Sequence, residues 1–312
     1  MAQIAAIDVG SNSVLLLLAD VGPWGVRVLG ERCEVTRLGR GLAHGAPLDP
    51  GAASRTLEVL ADYGARAGAA GARVVAVGTE ALRRARDVES FLGRARAALG
   101  ADLVIIPSER EAGLALLAVA ESFPEMGGPL VVLDIGGGST EVVIGGIGAR
   151  AGQVERFDSL PLGSVRLLER HIAHDPATPA EIAALRADVD DALANTSVRP
   201  FADAPVVGVA ATVTTLAAVA EGVAPYDGAR VHGTWLNAAE LARQVDLYSR
   251  LSVLDRRRVR GLDPRRADVI LAGALLVERL MSWLSVESIR VSDRGVRWGL
   301  LYEARQAAGL DG

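Results

Sequence analysis

Two short stretches of the sequence place an acid, glycine and serine in the same order. The first, AAIDVGSNS, carries Asp8, and the second, VLDIGGGSTE, carries Asp134. The acid, the glycine two residues later and the serine five residues later all recur at an offset of 134 − 8 = 126 residues. Each acid ends one apolar run and is followed by another, so the sequence predicts two related strand–turn–strand units.

The turns themselves have the composition of anion-binding loops. Glycine lets the backbone approach a ligand closely, and successive N–H groups converge on a phosphate. A dinucleotide fingerprint or a Walker loop would open a helix, whereas these turns join two strands, and the Walker lysine is missing. A single such turn could be a simple hairpin, but the duplication favours a site with donors on both walls. The predicted phosphate-binding residues are Gly10, Ser11, Asn12, Ser13, Gly136, Gly137, Gly138, Ser139 and Thr140.

The acids beside these turns require a cation. A carboxylate about 4 Å from a phosphate oxygen costs roughly 4 kcal/mol at an effective dielectric near 20. One hydrogen bond to a charged group returns only about 1.5–3 kcal/mol. Mg²⁺ binds a few carboxylates and keeps waters and phosphate oxygens, so we predict Mg²⁺ held by Asp8, Asp134 and Glu141.

The elements around the turns alternate between strand and helix. Short apolar strands extend to about Leu42, and Asp49 with Pro50 is typical of a helix N-terminus. The strand RVVAVGT, a helix over about 80–99, the strand ADLVIIP and a helix ending near Pro124 follow. This order indicates an α/β lobe.

After the Gly-Gly-Pro at 127–129 the same order returns. A strand, a glycine turn, two more strands and two helices lead to the strand APVVGVAAT, after which the chain is predicted to be largely helical to Trp283. A last strand, turn and helix end it. The prediction is a duplicated α/β protein with a cleft between its lobes, 1–125 and 126–297, and a closing helix at 298–312 that packs back on the first lobe.

Composition limits the class of protein. At 312 residues the chain is long enough for two domains, and its single cysteine excludes an intrachain disulfide framework. A net charge of −5 argues against general nucleic-acid binding. The first strand begins almost at once, leaving no room for a signal peptide, and no apolar run reaches about 18 residues. We expect a cytoplasmic protein that does not enter membranes.

Taken together, these segments resemble the exopolyphosphatase and guanosine pentaphosphate phosphatase family, within the superfamily of sugar kinases, actin and heat-shock chaperone ATPases. Besides the two turns, the resemblance rests on TRLGRGL, VAVGTEALRRA, SEREAGLAL, SLPLGSVRLLERH, ATVTTLAAV, RADVILAGA and VSDRGVRWGLL, in family order. It covers essentially the whole chain and implies two ribonuclease H-like lobes, as in actin-like ATPases, and a homodimer.

The resemblance also implies catalytic roles. Glu111 matches the family glutamate that activates water, with Glu109 as the alternative. Arg83 matches the arginine that grips the transferred phosphate, where a guanidinium binds two oxygens at once. We expect Arg84 and Arg86 to be surface residues.

The resemblance implies an exopolyphosphatase that hydrolyses terminal phosphate from inorganic polyphosphate. Three alternatives stay open: the same hydrolysis on guanosine pentaphosphate, a sugar kinase of the superfamily, and a non-enzymatic regulator of the stringent response that binds guanosine tetra- or pentaphosphate. Ala210 and Ala211 stand where adenosine-binding segments carry glycine, which argues against the kinase.

Overall fold

The computed structural model describes residues 2–146, 152–198, 204–307 and Gly309. The chain divides into two compact units. The first unit extends to Ala118 and includes the residues from Val296 onward, and the second runs from Val119 to Gly295. Helices and strands are numbered along the chain.

The first unit contains five strands and five helical segments among the described residues. The strands are β1 (Ala2–Val9), β2 (Ser13–Gly22), β3 (Gly25–Val35), β4 (Arg73–Gly78) and β5 (Leu103–Ile105). The helices are α1 (Pro50–Ala69), α2 (Glu80–Arg84), α3 (Val88–Leu99), the start of α4 (Ser108–Ser122), and α12 (Val296–Ala307).

The sheet of the first unit has the order β3-β2-β1-β4-β5. β1, β2 and β3 form an antiparallel meander, and β4 and β5 add in parallel. β1 lies in the middle of the sheet, and its residues from Ile4 to Ile7 are fully buried because helices cover both faces. Asp8 stands at the end of this buried strand, opposite Leu15 of β2.

Helix α1 begins as predicted. The Asp49 side chain accepts a hydrogen bond from Ala52 N–H at 2.7 Å, and Pro50 occupies the first turn. The single helix predicted over 80–99 is wrong, since α2 ends at Arg84 and α3 begins at Val88.

The break between α2 and α3 has a tertiary cause. Ala85 is extended, with ψ 140°. Arg86 N–H then donates to Ala46 O at 3.0 Å, and the Asp87 side chain accepts from Leu48 N–H at 3.0 Å. Bonds to the loop before α1 thus replace helical ones.

The second unit repeats the arrangement with additional helices. Its strands are β6 (Pro129–Ile135), β7 (Thr140–Gly146), β8 (Val154–Leu160), β9 (Val206–Val209), β10 (Trp235–Asn237) and β11 (Ser288–Val291). Its helices are α5 (Ser164–His171), α6 (Pro179–Ala194), α7 (Ala210–Ala220), α8 (Gly228–Val231), α9 (Ala238–Arg250), α10 (Val253–Arg256) and α11 (Ile270–Leu284). Short 3₁₀ segments lie at Pro124–Met126 and Pro264–Arg266.

The sheet order of the second unit is β10-β11-β9-β6-β7-β8. The meander β6-β7-β8 corresponds to β1-β2-β3, and the parallel strands β9 and β11 correspond to β4 and β5. The predicted α/β class and its duplication are confirmed. The prediction missed β10, which has three residues within the segment expected to be helical.

α11 illustrates how the second core is filled. Its first eight residues, Ile270–Val277, are all buried, and the helix packs against α5, α6, α7 and α9. Even so, none of the helices in the described part of the chain is both long and apolar enough to span a membrane.

Candidate active site

The first predicted phosphate turn is fixed through its carbonyl groups. The backbone bonds that hold it are Gly10 N–H to Ser13 O at 3.0 Å, Thr36 N–H and Arg37 N–H to Asn12 O at 3.1 and 3.0 Å, and Gly39 N–H to Ser11 O at 2.7 Å. Within the described residues, Ser11 and Asn12 donate no backbone N–H hydrogen bond. With the carbonyls bound to the loop, both N–H groups remain available to an anion.

The second turn is fixed in the same way by a different element. Its bonds are Gly136 N–H to Ser139 O at 3.0 Å, Ser164 N–H to Gly136 O at 3.1 Å, and Val165 N–H and Arg166 N–H to Gly137 O at 2.9 and 3.1 Å. The donors outside the turn are the first N–H groups of α5, which a helix leaves unbonded. Across the described ranges, Gly137, Gly138 and Ser139 make no backbone N–H bond.

In each unit a glycine lies where the supporting segment packs against the phosphate turn. A Cβ on Gly39 would lie 2.8 Å from the Ser11 Cβ. A Cβ on Gly163 would lie 2.4 Å from the carbonyl carbon and oxygen of Gly137. Only glycine lets the supporting backbone pack this closely on either turn.

Asp8 follows the buried stretch of β1 with one oxygen shut off from solvent. Its Oδ1 has no hydrogen-bond partner in the part of the chain that the structure describes. The pKa of Asp8 is raised to about 7, mainly by burial and also by the negative charge of Glu111, while the positive charge of Arg297 opposes the rise. A lone carboxylate held this way favours a proton or a cation.

Asp134 and Glu141 lie directly opposite each other on β6 and β7. Both are buried, and residues paired in this way project from the same face of the sheet. Glu141 Oε1 accepts hydrogen bonds from Ser139 Oγ at 2.9 Å and Ser159 Oγ at 2.8 Å. The structure therefore brings these two predicted metal ligands together, and two hydroxyl groups orient one of them.

Glu111 and Arg83, the two catalytic residues implied by the resemblance, are in direct contact. Arg83 Nη1 donates to Glu111 Oε2 at 2.8 Å and to Ile106 O at 2.8 Å. Burial raises the pKa of Glu111, the charge and hydrogen bond of Arg83 oppose the rise, and Glu80 adds to it. Glu109, two residues earlier on α4, is exposed.

Glu80 was not anticipated as a site residue. Only 8% of it is exposed, and its Oε2 accepts the Ser11 hydroxyl at 2.7 Å. Arg84 Nη1 donates to its Oε1 at 2.8 Å. Arg84 is therefore partly buried and paired, so its prediction as a surface residue is wrong, whereas Arg86 is exposed as expected.

Arg297 and Ser159 were also missed as site residues. Arg297 pairs with Glu31 at 2.9 Å and acts on the charge of Asp8, although it lies far from both in the sequence. Arg297 lies in VSDRGVRWGLL and Ser159 in SLPLGSVRLLERH, two of the segments that carry the family resemblance. That resemblance was the only sequence signal available for these two residues. No group of three or more His, Cys, Asp or Glu that could hold a metal ion occurs within the described ranges.

The family model of the Ppx/GppA phosphatase family matches residues 17–307. The chain belongs to the Ppx/GppA phosphatase family. The resemblance seen in the sequence is thereby confirmed, and membership makes the protein an enzyme of a phosphatase family.

Individual relatives of the Ppx/GppA family align along nearly the whole chain. Exopolyphosphatase 2 of Mycobacterium tuberculosis is 33% identical over 318 residues, covering 96% of this chain and 98% of its own. Exopolyphosphatase 1 of Mycobacterium bovis is 32% identical over 304 residues, covering 96% of this chain and 87% of its own. The crystal structure of the Aquifex aeolicus family member superposes with a TM-score of 0.82 at 33% identity, covering 98% of each chain.

Proposed function

We propose that the protein is a Mg²⁺-dependent exopolyphosphatase that removes terminal orthophosphate from inorganic polyphosphate. The observation that carries the proposal is the ion pair between buried Glu111 and partly buried Arg83 in the unit that holds the first turn. Whole-length similarity to proteins named exopolyphosphatase supports the choice of substrate.

Glu111 would orient the attacking water. The water oxygen bonds to the terminal phosphorus while its proton passes to Glu111, the bond from that phosphorus to the bridging oxygen breaks, and the shortened chain leaves with the bond electrons. Phosphoryl transfer passes through a loose transition state, so the main role of the base is to position the nucleophile. Burial raises the pKa of Glu111 and so makes it a stronger base than an exposed glutamate, while the charge and hydrogen bond of Arg83 favour its ionised form.

The turns would bind the phosphate oxygens. The N–H groups of Ser11 and Asn12 are available in the first turn, and those of Gly137, Gly138 and Ser139 in the second. Fixed N–H donors of this kind stabilise charge that develops on oxygen, at little reorganisation cost. Arg83 offers its remaining guanidinium N–H groups to the same charge.

The acids fit a divalent cation. The buried, unpartnered Oδ1 of Asp8 is the kind of oxygen that Mg²⁺ binds, and Mg²⁺ needs only one or two carboxylates besides water and phosphate. In the first unit we propose Asp8 as a ligand of such a cation, and in the second unit we propose Asp134 and Glu141. When bound, Mg²⁺ would neutralise negative charge on the polyphosphate.

The test is orthophosphate release from purified protein. Long polyphosphate, short polyphosphate, guanosine pentaphosphate and ATP are compared in one buffer with Mg²⁺ and with excess chelator. We expect polyphosphate to give the highest kcat/KM and chelation to abolish turnover. A higher kcat/KM for guanosine pentaphosphate would make that compound, rather than polyphosphate, the preferred substrate. Binding of guanosine tetraphosphate without turnover of any compound would favour a non-enzymatic regulator.

Two glutamates on α4 provide a matched pair of variants. Glu111→Gln should lower kcat at least 100-fold, within the range for loss of a general base. Glu109→Gln removes the same charge from the exposed side of the same helix and should leave kcat within about twofold of wild type, because surface changes are usually small. The reverse order of effects would assign the base to Glu109.

A further inference from the structure

Glu80 is a buried carboxylate whose two oxygens bind different parts of the first unit. Its Oε2 accepts the hydroxyl of Ser11, which lies 69 residues earlier in the sequence, and its Oε1 accepts a guanidinium N–H of Arg84. A buried carboxylate is stable only when hydrogen-bonded and compensated in charge. Arg84 compensates the charge, and the bond to Ser11 is directed at the phosphate turn.

These contacts belong to a closed ring of hydrogen bonds. Arg84 Nη2 donates to Leu42 O at 2.5 Å, Leu42 N–H donates to Gly39 O at 3.3 Å, and Gly39 N–H donates to Ser11 O at 2.7 Å. The ring returns to its start through the Ser11 hydroxyl and Glu80. Ser11 is therefore fixed at both its carbonyl and its side chain.

The ring determines which groups of Ser11 can meet a ligand. Its hydroxyl proton is committed to Glu80 Oε2 at 2.7 Å, so that proton is not available to a phosphate oxygen. Its carbonyl accepts from Gly39. What remains is the backbone N–H of Ser11, adjacent to that of Asn12.

We propose that Glu80 is a positioning residue that holds Ser11 so that the N–H groups of Ser11 and Asn12 bind phosphate. The inference rests on the proposed function, because it explains how the first turn is held in the conformation that binds the phosphate of the proposed substrate. Glu80 does not touch substrate in this role. It acts through Ser11, and its helix α2 also carries Arg83, so one short helix sets both the turn and the partner of Glu111.

The experiment measures KM, kcat and thermal unfolding with polyphosphate, and calorimetric binding of tripolyphosphate. Glu80→Ala should raise KM about tenfold, as expected when a hydrogen bond to a charged group is lost, with a smaller change in kcat. Ser11→Ala should do the same. The double variant should match Ser11→Ala alone, because residues that act through one interaction are not additive.

Glu80→Gln separates positioning from stability. The amide oxygen still accepts the Ser11 hydroxyl, but the ion pair with Arg84 is lost. We expect a lower unfolding temperature with KM within about threefold of wild type. Asp62→Ala is the matched control, since it breaks the exposed Asp62–Arg66 pair of α1 with the same i,i+4 spacing and should change neither KM nor kcat.

A KM for Ser11→Ala equal to that of wild type would overturn the proposal, whether or not Glu80→Ala folds. Additive effects in the double variant, or an equal rise in KM for Glu80→Gln and Glu80→Ala, would also overturn it. If wild-type protein binds tripolyphosphate without hydrolysing it, the proposed function alone is rejected. The same variants would then be compared by their Kd for tripolyphosphate. Absence of both binding and hydrolysis would reject both proposals.

Discussion

The two phosphate turns share a backbone plan and differ in what holds it. In each, carbonyl groups accept N–H donors from a neighbouring segment, and the N–H groups that follow the first glycine stay available: those of Ser11 and Asn12 in one turn and of Gly137, Gly138 and Ser139 in the other. The first turn is held by the irregular loop around Gly39, and the second by the N-terminus of α5 after Gly163. A helix end supplies aligned donors without further support, whereas a loop needs additional anchors.

The carboxylate partners show the same difference. Glu141 lies two residues from Ser139 and is joined by Ser159 of the next strand. Glu80 lies 69 residues from Ser11 and requires Arg84 for charge compensation. The carboxylate beside the second turn is therefore positioned mainly by local sequence and sheet register, and the carboxylate beside the first turn by contacts between residues far apart in the chain.

The largest expected effect compares the two supporting glycines. Gly163→Ala should lower the free energy of unfolding by about 3 kcal/mol, because its Cβ would meet backbone atoms of Gly137 at 2.4 Å. Gly39→Ala should cost about 1 kcal/mol, because its closest contact is the Ser11 Cβ at 2.8 Å. Urea denaturation measures both, and equal costs would show that the loop is as rigid as the helix end.

The next effect concerns the acid of the first turn. The pKa of Asp8 is raised to about 7 in the folded protein, so between about pH 4 and 7 the unfolded chain ionises first and stability falls as pH rises. Asp8→Asn removes this pH-dependent loss of stability, because asparagine does not ionise. At pH 8 without divalent cations it should be more stable than wild type by at least about 2 kcal/mol, and the gain should vanish near pH 4.

Chemical denaturation at several pH values tests this expectation. A difference between Asp8→Asn and wild type that is constant from pH 4 to 8 would contradict the assigned pKa. Added Mg²⁺ should stabilise wild type at pH 8 and leave Asp8→Asn less affected, since a ligand that binds only the folded state stabilises it.

A smaller effect is expected at the second turn. Ser159→Ala removes one of two hydroxyl donors to the buried Glu141 and should cost about 1.5 kcal/mol. Ser54→Ala is the control, because its hydroxyl bonds to Glu58 on the exposed face of α1, and it should cost less than about 0.5 kcal/mol. Equal costs would mean that Glu141 does not depend on Ser159.

The smallest effect compares the junctions that follow β4 and β9. Thr79, after β4, has a negative φ of −119°, whereas Ala210, after β9, has φ of 67°, a left-handed conformation that disfavours residues with a Cβ. Ala210→Gly should therefore stabilise the protein by about 1 kcal/mol. Ala211→Gly, one residue into α7, should instead destabilise it by a similar amount, and thermal denaturation should separate the two signs.

Much of the fold could be predicted from local patterns. Asp49 with Pro50 placed the start of α1, and the repeated acid–glycine turns identified the two meanders. The break at Ala85 could not be predicted, because bonds from Arg86 and Asp87 to a distant loop decide it. β10 was missed for a similar reason, since three residues carry no recognisable period and need β11 to pair with.

The candidate site, like the fold, has features that local sequence determines and features that depend on tertiary contacts. By itself the sequence determined where the acids and glycines stand, because a strand–turn–strand unit is encoded by residues that are close together in the chain. Only the tertiary structure decided that Arg83 meets Glu111, that Ser11 meets Glu80 and that Arg297 acts on Asp8. Those contacts join residues far apart in the chain, and strand order and helix packing, rather than local preference, bring such residues together.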